Sequence, residues 1–280
     1  MKRLLEVLDN LYTDGQFSYS IIVVDNDHHE TARHIVHSFR QRSNINVKYY
    51  IEPEQNIALA RNRAVRNAKG DLIAFIDDDE CPDQYWLVNL FKAHNEFNVD
   101  GILGPVLPHY ETTPPAWIIK GKFYERPSHT TGTVLHWSDT RTGNVLIRRG
   151  VFVDDDNMFR PEYGSGGEDR DFFKRMIGQG FQFVWCAEAP VFESVPPDRY
   201  KRCFLLRRAL LRGAKLPYNN STIPYLKSLI AIPLYMLILP FLLFIQHHIF
   251  MRYLIKVFDH IGRVLALCGI QVIREKYVMK

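Results

Sequence analysis

Leu72-Ile73-Ala74-Phe75-Ile76-Asp77-Asp78-Asp79-Glu80 is the stretch on which the reading of the chain turns. Five apolar residues in succession read as a buried strand. Four carboxylates then gather at its C-terminal end, the place where open α/β sheets bind ligands. Crowded carboxylates repel one another, and a hard divalent cation with oxygen ligands, Mn2+ or Mg2+, offsets that cost and would also hold a phosphate. The plain alternative is a solvated acidic turn leading into the next helix.

Working outward, apolar strands alternate with helices. Leu4, Leu5, Leu8 and Leu11 share one helical face, and a β-branched strand follows over residues 19–24. The pattern then predicts a helix at 31–40, a strand at 47–51, a helix at 57–67 and, beyond the acidic stretch, a helix N-capped by Asp83. Further strands are expected at 101–103, 145–147 and 182–185, with a helix at 169–177. Residues 105–127, rich in Pro, Tyr and Trp without a clean period, read as a loop region over a cleft. The fold class is therefore α/β, with a mostly parallel sheet covered by helices on both faces.

Composition agrees with a packed protein: of 280 residues, 46% are hydrophobic and 24% charged, which excludes a disordered chain. Lys plus Arg exceed Asp plus Glu by only 35 to 31, too little to argue for nucleic acid as a partner. Cys81, Cys186, Cys203 and Cys268 show no paired metal-ligand spacing and read as reduced, mostly buried thiols in a cytoplasmic setting. The amphipathic start, Met1-Lys2-Arg3-Leu4, lacks the apolar core of a secretory signal.

Charge and hydropathy change sharply near the C-terminus. Arg199, Lys201, Arg202, Arg207, Arg208, Arg212 and Lys215 form a basic segment, and Ser228 to Ile245 follows as 18 uncharged residues. At 1.5 Å per residue that run spans ~27 Å, close to the ~30 Å core of a bilayer. Pro233 and Pro240 favour a kinked or re-entrant helix over a straight span. After it, Met251, Leu254, Ile255, Phe258 and Ile261 oppose Arg252, Lys256, Asp259 and Arg263, as in a helix lying in a membrane interface. A buried hairpin is the alternative. The expected division is a domain over 1–215 and a membrane-associated helical tail over 216–280, attached through 228–265.

Three more motifs carry candidate chemistry. Asp25-Asn26-Asp27 ends the first strand, where Asp and Asn can hydrogen-bond a ribose or base edge or simply form an Asx turn. Arg61 stands on a helix with small neighbours Ala58, Ala60 and Ala64 and can reach a phosphate bidentately. Ser165-Gly166-Gly167-Glu168-Asp169 is a flexible turn entering a helix, placing two carboxylates where one can act as a base or cap the helix.

In this order, Val23-Val24-Asp25-Asn26, Ala60-Arg61-Asn62, Phe75-Ile76-Asp77-Asp78-Asp79, Gly143-Asn144, Gly167-Glu168-Asp169 and Glu193 with Pro197 and Arg199 resemble the family-two glycosyltransferases of the GT-A fold, over residues 2–215. The resemblance implies a metal-dependent inverting transferase that moves a sugar from a nucleotide-sugar donor to a glycan or lipid-linked acceptor in surface polysaccharide synthesis. It would work at the cytoplasmic face of the cell membrane, in contact with membrane lipids. By the same resemblance Asp25, Asn26, Arg61, Asp77 and Asp78 contact the donor, Arg207 and Arg208 meet its diphosphate, Asp79 with Asp77 holds Mn2+ or Mg2+, and Asp169 beside Glu168 is the base. An inactive, truncated membrane partner is the alternative function. Relatives usually begin with a strand ending in a Pro-Thr-Tyr-Asn-Arg-like loop that holds the nucleobase, and this sequence starts at the helix after it. The expectation is an unflanked strand at residues 21–24, a pocket open on one side, low stability and weak donor binding.

Overall fold

The structure, a computed structural model, describes residues 1–152, 154, 158–164, 166–214 and 223–270. Ser165, Lys215 and the expected boundary at 215/216 lie outside the described residues. Contacts divide the chain into two compact units, Met1–Pro108 with Arg126–Ser194, and His109–Glu125 with Val195–Lys280.

The first unit opens with α1 (Lys2–Leu8), then β1 (Ser20–Asp25), α2 (Arg33–Arg40), β2 (Asn46–Ile51) and α3 (Ile57–Asn67). It continues with β3 (Leu72–Ile76), β4 (Glu80–Pro82), α4 (Trp86–Phe97), β5 (Gly101–Leu103) and the start of β6 (Val106–Tyr110). After α5 (Ala116–Gly121) come β7 (Asn144–Arg148), α6 (Glu168–Gly178), β8 (Phe183–Trp185) and β9 (Val191–Val195). β1 and β2 form a parallel pair, β3-β7-β5-β8 a second sheet and β4-β9-β6 a third.

The central sheet is apolar on both faces, which is why its strands read as unbroken hydrophobic runs. Ile102, Leu146 and Val184 point into one core with Trp86 and Leu90 of α4. Their neighbours Leu103, Val145, Ile147, Phe183 and Trp185 point into the other, with Phe172, Phe173 and Met176 of α6. One-residue alternation thus feeds two cores.

The α/β class holds, but the sheets are mixed rather than mostly parallel: β7 runs antiparallel to both β3 and β5, and β5 pairs in parallel with β8. β7 is entered through a long connection without a crossover helix covering the sheet, so the right-handed βαβ unit that imposes parallel pairing is absent there. β1 pairs with β2 alone among the described residues. The expected loop at 105–127 contains β6 and α5 instead; Pro108 lies within β6, and Pro115 is the N-cap of α5. Asp83 accepts from the Tyr85 N–H at 2.7 Å rather than capping α4, whose N-cap is Tyr85. The cysteines are free, but only Cys186 is buried; Cys81 is half-buried, and Cys203 and Cys268 are exposed.

In the second unit, Ile118, Tyr124, Val195, Tyr200 and Leu205 make a small core. α7 (Arg202–Gly213) packs with α9 (His247–Leu267), tied by the Arg212–Asp259 ion pair. A Cβ on Gly262 would stand 2.2 Å from the Leu210 carbonyl oxygen, so glycine permits this helix crossing. α8 (Ile223–Leu243) is continuous through Pro233 and Pro240. Its segment Pro224–Leu243 has mean hydropathy 2.1 and is long and apolar enough to cross a membrane. Leu229, Ile230, Leu234, Leu237 and Phe241 are exposed on it.

Candidate active site

The turn after β3 is built by its own acids. Glu80 N–H donates to the Asp77 carbonyl at 3.1 Å, and the Asp77 N–H donates back to Glu80 Oε2 at 3.1 Å. Glu80 is 1% exposed, and its carboxyl is pushed up to about 9 by burial, then by Asp77 and Glu193, with Arg126 opposing. It is thus an interior brace of the turn, while the Asp77 and Asp78 side chains are exposed. A Cβ at Gly143 would come 2.7 Å from Glu80 Oε1, so the glycine before β7 is required for the turn to close. Asp79 is half-buried, and its carbonyl accepts from Ser194 N–H at 3.0 Å.

Asp77 keeps 48% of its side chain accessible yet is desolvated by the surrounding protein. Desolvation raises its carboxyl above the ordinary range, Arg61 opposes, and the Asp79 and Asp78 charges add to the rise. Arg61 stands 3.5 Å from Asp77 and also pairs with Glu168, so one guanidinium links the end of β3 to the start of α6. Arg61 lies over the Phe159 ring, 5.8 Å from its centroid.

Local structure explains how α3 aims Arg61. Asn56 caps α3, its Oδ1 accepting from Ala58 and Leu59 N–H at 3.1 and 3.2 Å. Its amide also donates to the Pro161 carbonyl at 2.9 Å. Nearly two turns on, buried Asn62 exchanges two hydrogen bonds with the Phe159 backbone, at 2.7 and 2.9 Å. α3 is thereby latched to the segment that runs into α6, whose N-cap Gly167 has φ +104°, a conformation costly for any residue with a Cβ.

Glu168 and Asp169 then diverge. Glu168 is 4% exposed, raised by burial against the pull of Arg61, and its Oε2 has no hydrogen-bond partner among the described residues. Asp169 is half-buried and accepts the Arg170 N–H at 2.7 Å. At the end of β1, Asp25 is 8% exposed; its Oδ2 accepts from the Tyr49 hydroxyl at 2.7 Å and the Ala32 N–H at 2.9 Å. Asn26 is consumed by the backbone: its amide donates to Glu52 and Glu54 carbonyls, and its oxygen accepts from Asn56 N–H at 3.0 Å. It braces the loop into α3 and does not offer the free amide expected for a ribose or base.

The expected residues Arg61, Asp77 and Glu168 are therefore in one contact network, with Asp78, Asp79 and Asp169 adjoining it in sequence. Arg207 and Arg208 stand on α7 in the second unit. Sequence reading missed Arg126, which ion-pairs with Glu193, and Arg141, half-buried before β7. The available signal was an arginine two residues before Gly143-Asn144.

The donor set at Asp77 and Asp79 is carboxylate oxygen, suited to Mg2+ or Mn2+, and a cation there would offset both the desolvation that chiefly raises Asp77 and the smaller push from Asp79 and Asp78. Among the described residues, a different trio, Asp27, His28 and His29, brings its ligand atoms within 4.8 Å of one another.

Known proteins place this architecture. The Glycosyl transferase family 2 sequence model matches residues 2–155, and the chain belongs to that family. It is 36% identical over 197 residues to the succinoglycan biosynthesis protein ExoM of Rhizobium meliloti (strain 1021), covering 69% of this chain and 62% of that protein. It is 24% identical over 199 residues to the O-antigen chain rhamnosyltransferase WbaN of Salmonella anatum, covering 66% of this chain and 60% of that one. The chain thus spans about three fifths of the length of these relatives. In fold it is similar to S. aureus TarS residues 1–349 crystallised with UDP, at TM-score 0.53 and 18% identity over 74% of this chain and 60% of that one.

Proposed function

We propose that this chain is an inverting glycosyltransferase acting from a nucleoside-diphosphate sugar onto a hydroxyl of a glycan or lipid-linked acceptor, in surface-polysaccharide synthesis at the cytoplasmic face of a membrane. The observation that carries the reading is the Asp77–Arg61–Glu168 link, which joins the acids after β3 to the helix turn bearing Asp169. Relatives in succinoglycan and O-antigen synthesis and a UDP-bound fold neighbour support the donor and acceptor classes. The apolar exposed face of α8 supports the membrane.

In this reading Asp25 and Asp77 hold the nucleoside and Arg61 steadies Asp77. Asp169 takes the proton from the acceptor hydroxyl as its oxygen bonds to the anomeric carbon from the side opposite the leaving diphosphate, which inverts the centre. Glu168, fixed by Arg61, holds the helix turn that carries Asp169. Asp79 and Asp77 would hold a divalent cation, which supplies positive charge to the departing diphosphate.

Asp169→Asn tests the assignment. Donor affinity should stay near wild type while transfer falls roughly 100-fold or more. If Glu168→Gln is inactive and Asp169→Asn keeps full rate, the base is misassigned. Donor binding without transfer by the wild-type chain to any glycan or lipid-linked acceptor would favour a non-catalytic partner instead.

A further inference from the structure

Length and hydropathy alone admit α8 as a membrane span, but its packing within the second unit does not. α9 lies along α8. Ser228 Oγ, fully buried between the two helices, accepts from Arg263 at 3.1 Å and stands 2.9 Å from His260 Nδ1. Tyr235, near the middle of α8, has the Tyr253 ring 5.6 Å and the His260 ring 5.8 Å from its own, and the Lys256 ammonium stands 6.0 Å from its centroid. The other flank of α9 is held by the polar body of the same unit. Asp259 pairs with Arg212 of α7, Arg252 donates to the Gly121 carbonyl at 3.1 Å, and His247 accepts from Arg202 at 3.1 Å. A Cβ on Gly213 would run into the Asp259 carbonyl, so α7 and α9 cross at backbone distance and α9 is not free to leave.

The consequence is electrostatic. A crossing α8 would carry Lys256 and His260 to the bilayer midplane, ~15 Å from either surface and too deep for a lysine to extend its charge into water. It would also draw Arg252 and the Arg212–Asp259 pair toward hydrocarbon, where charged side chains are rare and costly. The side of α8 turned away from α9 has the opposite character. Leu226, Ile230, Leu234, Leu237 and Phe241 recur there at helical spacing, each more than half exposed, and Phe244 just beyond them is 90% exposed. Residues 224–270 contain a single acid, Asp259, already tied to Arg212, and their exposed charges, Lys227, Arg252 and Lys256, are all basic. A continuous apolar face on a basic helix pair complements acyl chains beneath anionic headgroups, whereas a second copy of the chain would bring the same positive charge against it.

We propose that α8 lies flat in one leaflet of the bilayer, its exposed face among the acyl chains, α9 between it and the rest of the unit, and both of its ends at the same membrane surface. The proposal rests on the membrane reading above and adds its topology: a hairpin that enters the cytoplasmic leaflet without crossing.

Sidedness of labelling tests it on the full chain, in a Cys81→Ser, Cys203→Ser, Cys268→Ser background that removes the accessible thiols. Lys227→Cys and Gln246→Cys mark the two ends of α8, both at exposed positions. A membrane-impermeant maleimide should label both in sealed inside-out vesicles from expressing cells and neither in intact spheroplasts. A nitroxide on Leu237→Cys should lie ~5–10 Å into the leaflet, the depth of an interfacial helix, and not near the midplane at ~15 Å. Labelling of the two ends from opposite sides, failure of either end to label in inside-out vesicles, or a nitroxide at the midplane would overturn the proposal. Spin–spin broadening between nitroxides of two chains would put a second copy on this face and overturn it too. Opposite sidedness would leave the membrane reading standing and remove only the topology, whereas recovery of the chain in the soluble fraction without detergent would remove both.

Discussion

Glu168 and Asp169 are adjacent in sequence and opposite in environment, and the difference sets what each can do. Glu168 is buried against Arg61, so Arg61→Met should leave a desolvated carboxylate unpaired and cost about 3 kcal/mol in chemical denaturation. Arg61→Met with Glu168→Gln should recover most of that, since no buried charge remains, and yet should not recover transfer. Glu80 gives a pH test in metal-free buffer. Its folded value is about 9 against 4.5 for an ordinary glutamate, so its stabilisation is complete below pH 4.5 and is lost as pH rises toward 9. Glu80→Gln should flatten that slope in urea titrations; an unchanged slope would mean that Glu80 is ionised in the fold. Cys186, pushed up to about 12 by burial, should resist brief iodoacetamide treatment while the exposed Cys203 and Cys268 are modified, as read by mass spectrometry. None of these environments was visible from residue type. The acidic run showed that charge gathers after β3, but not that Glu80 would turn inward, which depends on Gly143 arriving from 63 positions away (143 minus 80).

Helix α3 carries Arg61 because its first turn is held twice, by the Asn56 cap and by the Pro161–Gly164 turn. A Cβ at Gly164 would stand 1.8 Å from Asn56 Oδ1. Gly164→Ala should therefore displace the cap and destabilise the chain by about 1–2 kcal/mol, as Asn56→Ala should. Because both remove the same contact, the double variant should cost clearly less than the sum; full additivity in a double-mutant cycle would refute the latch. At this scale the sequence was largely readable. α3 and β3 match their expected spans residue for residue, because their apolar spacing is local. β4, β6, β9 and α5 were not foreseen. β4 is only three residues long, and its partner β9 lies more than a hundred residues downstream, so pairing rather than pattern creates it. Asn26 misled for a related reason: an Asn at a strand end reads the same whether it faces a ligand or, as here, the backbone of residues 52–56.

For the whole molecule, helix–strand alternation identified the α/β class, but strand direction depends on how each connection crosses the sheet, and the long entry into β7 hid its antiparallel course. The hydropathy run became α8, whose exposed apolar face should keep the full chain with membranes. High salt should fail to release it and detergent should succeed, because the apolar area outweighs about 1 kcal/mol per surface cation. Recovery in the soluble fraction without detergent would contradict that attachment. The central claim, that the acids after β3 hold a metal-dependent nucleotide-sugar donor, is tested most directly by thermal shift of the detergent-solubilised chain with a panel of nucleoside-diphosphate sugars and manganese. A member of the panel at 100 times its dissociation constant should add about 2.7 kcal/mol of stability, and the gain should vanish without manganese and in Asp79→Ala. No shift with any member of the panel, or an equal shift in Asp79→Ala, would contradict it.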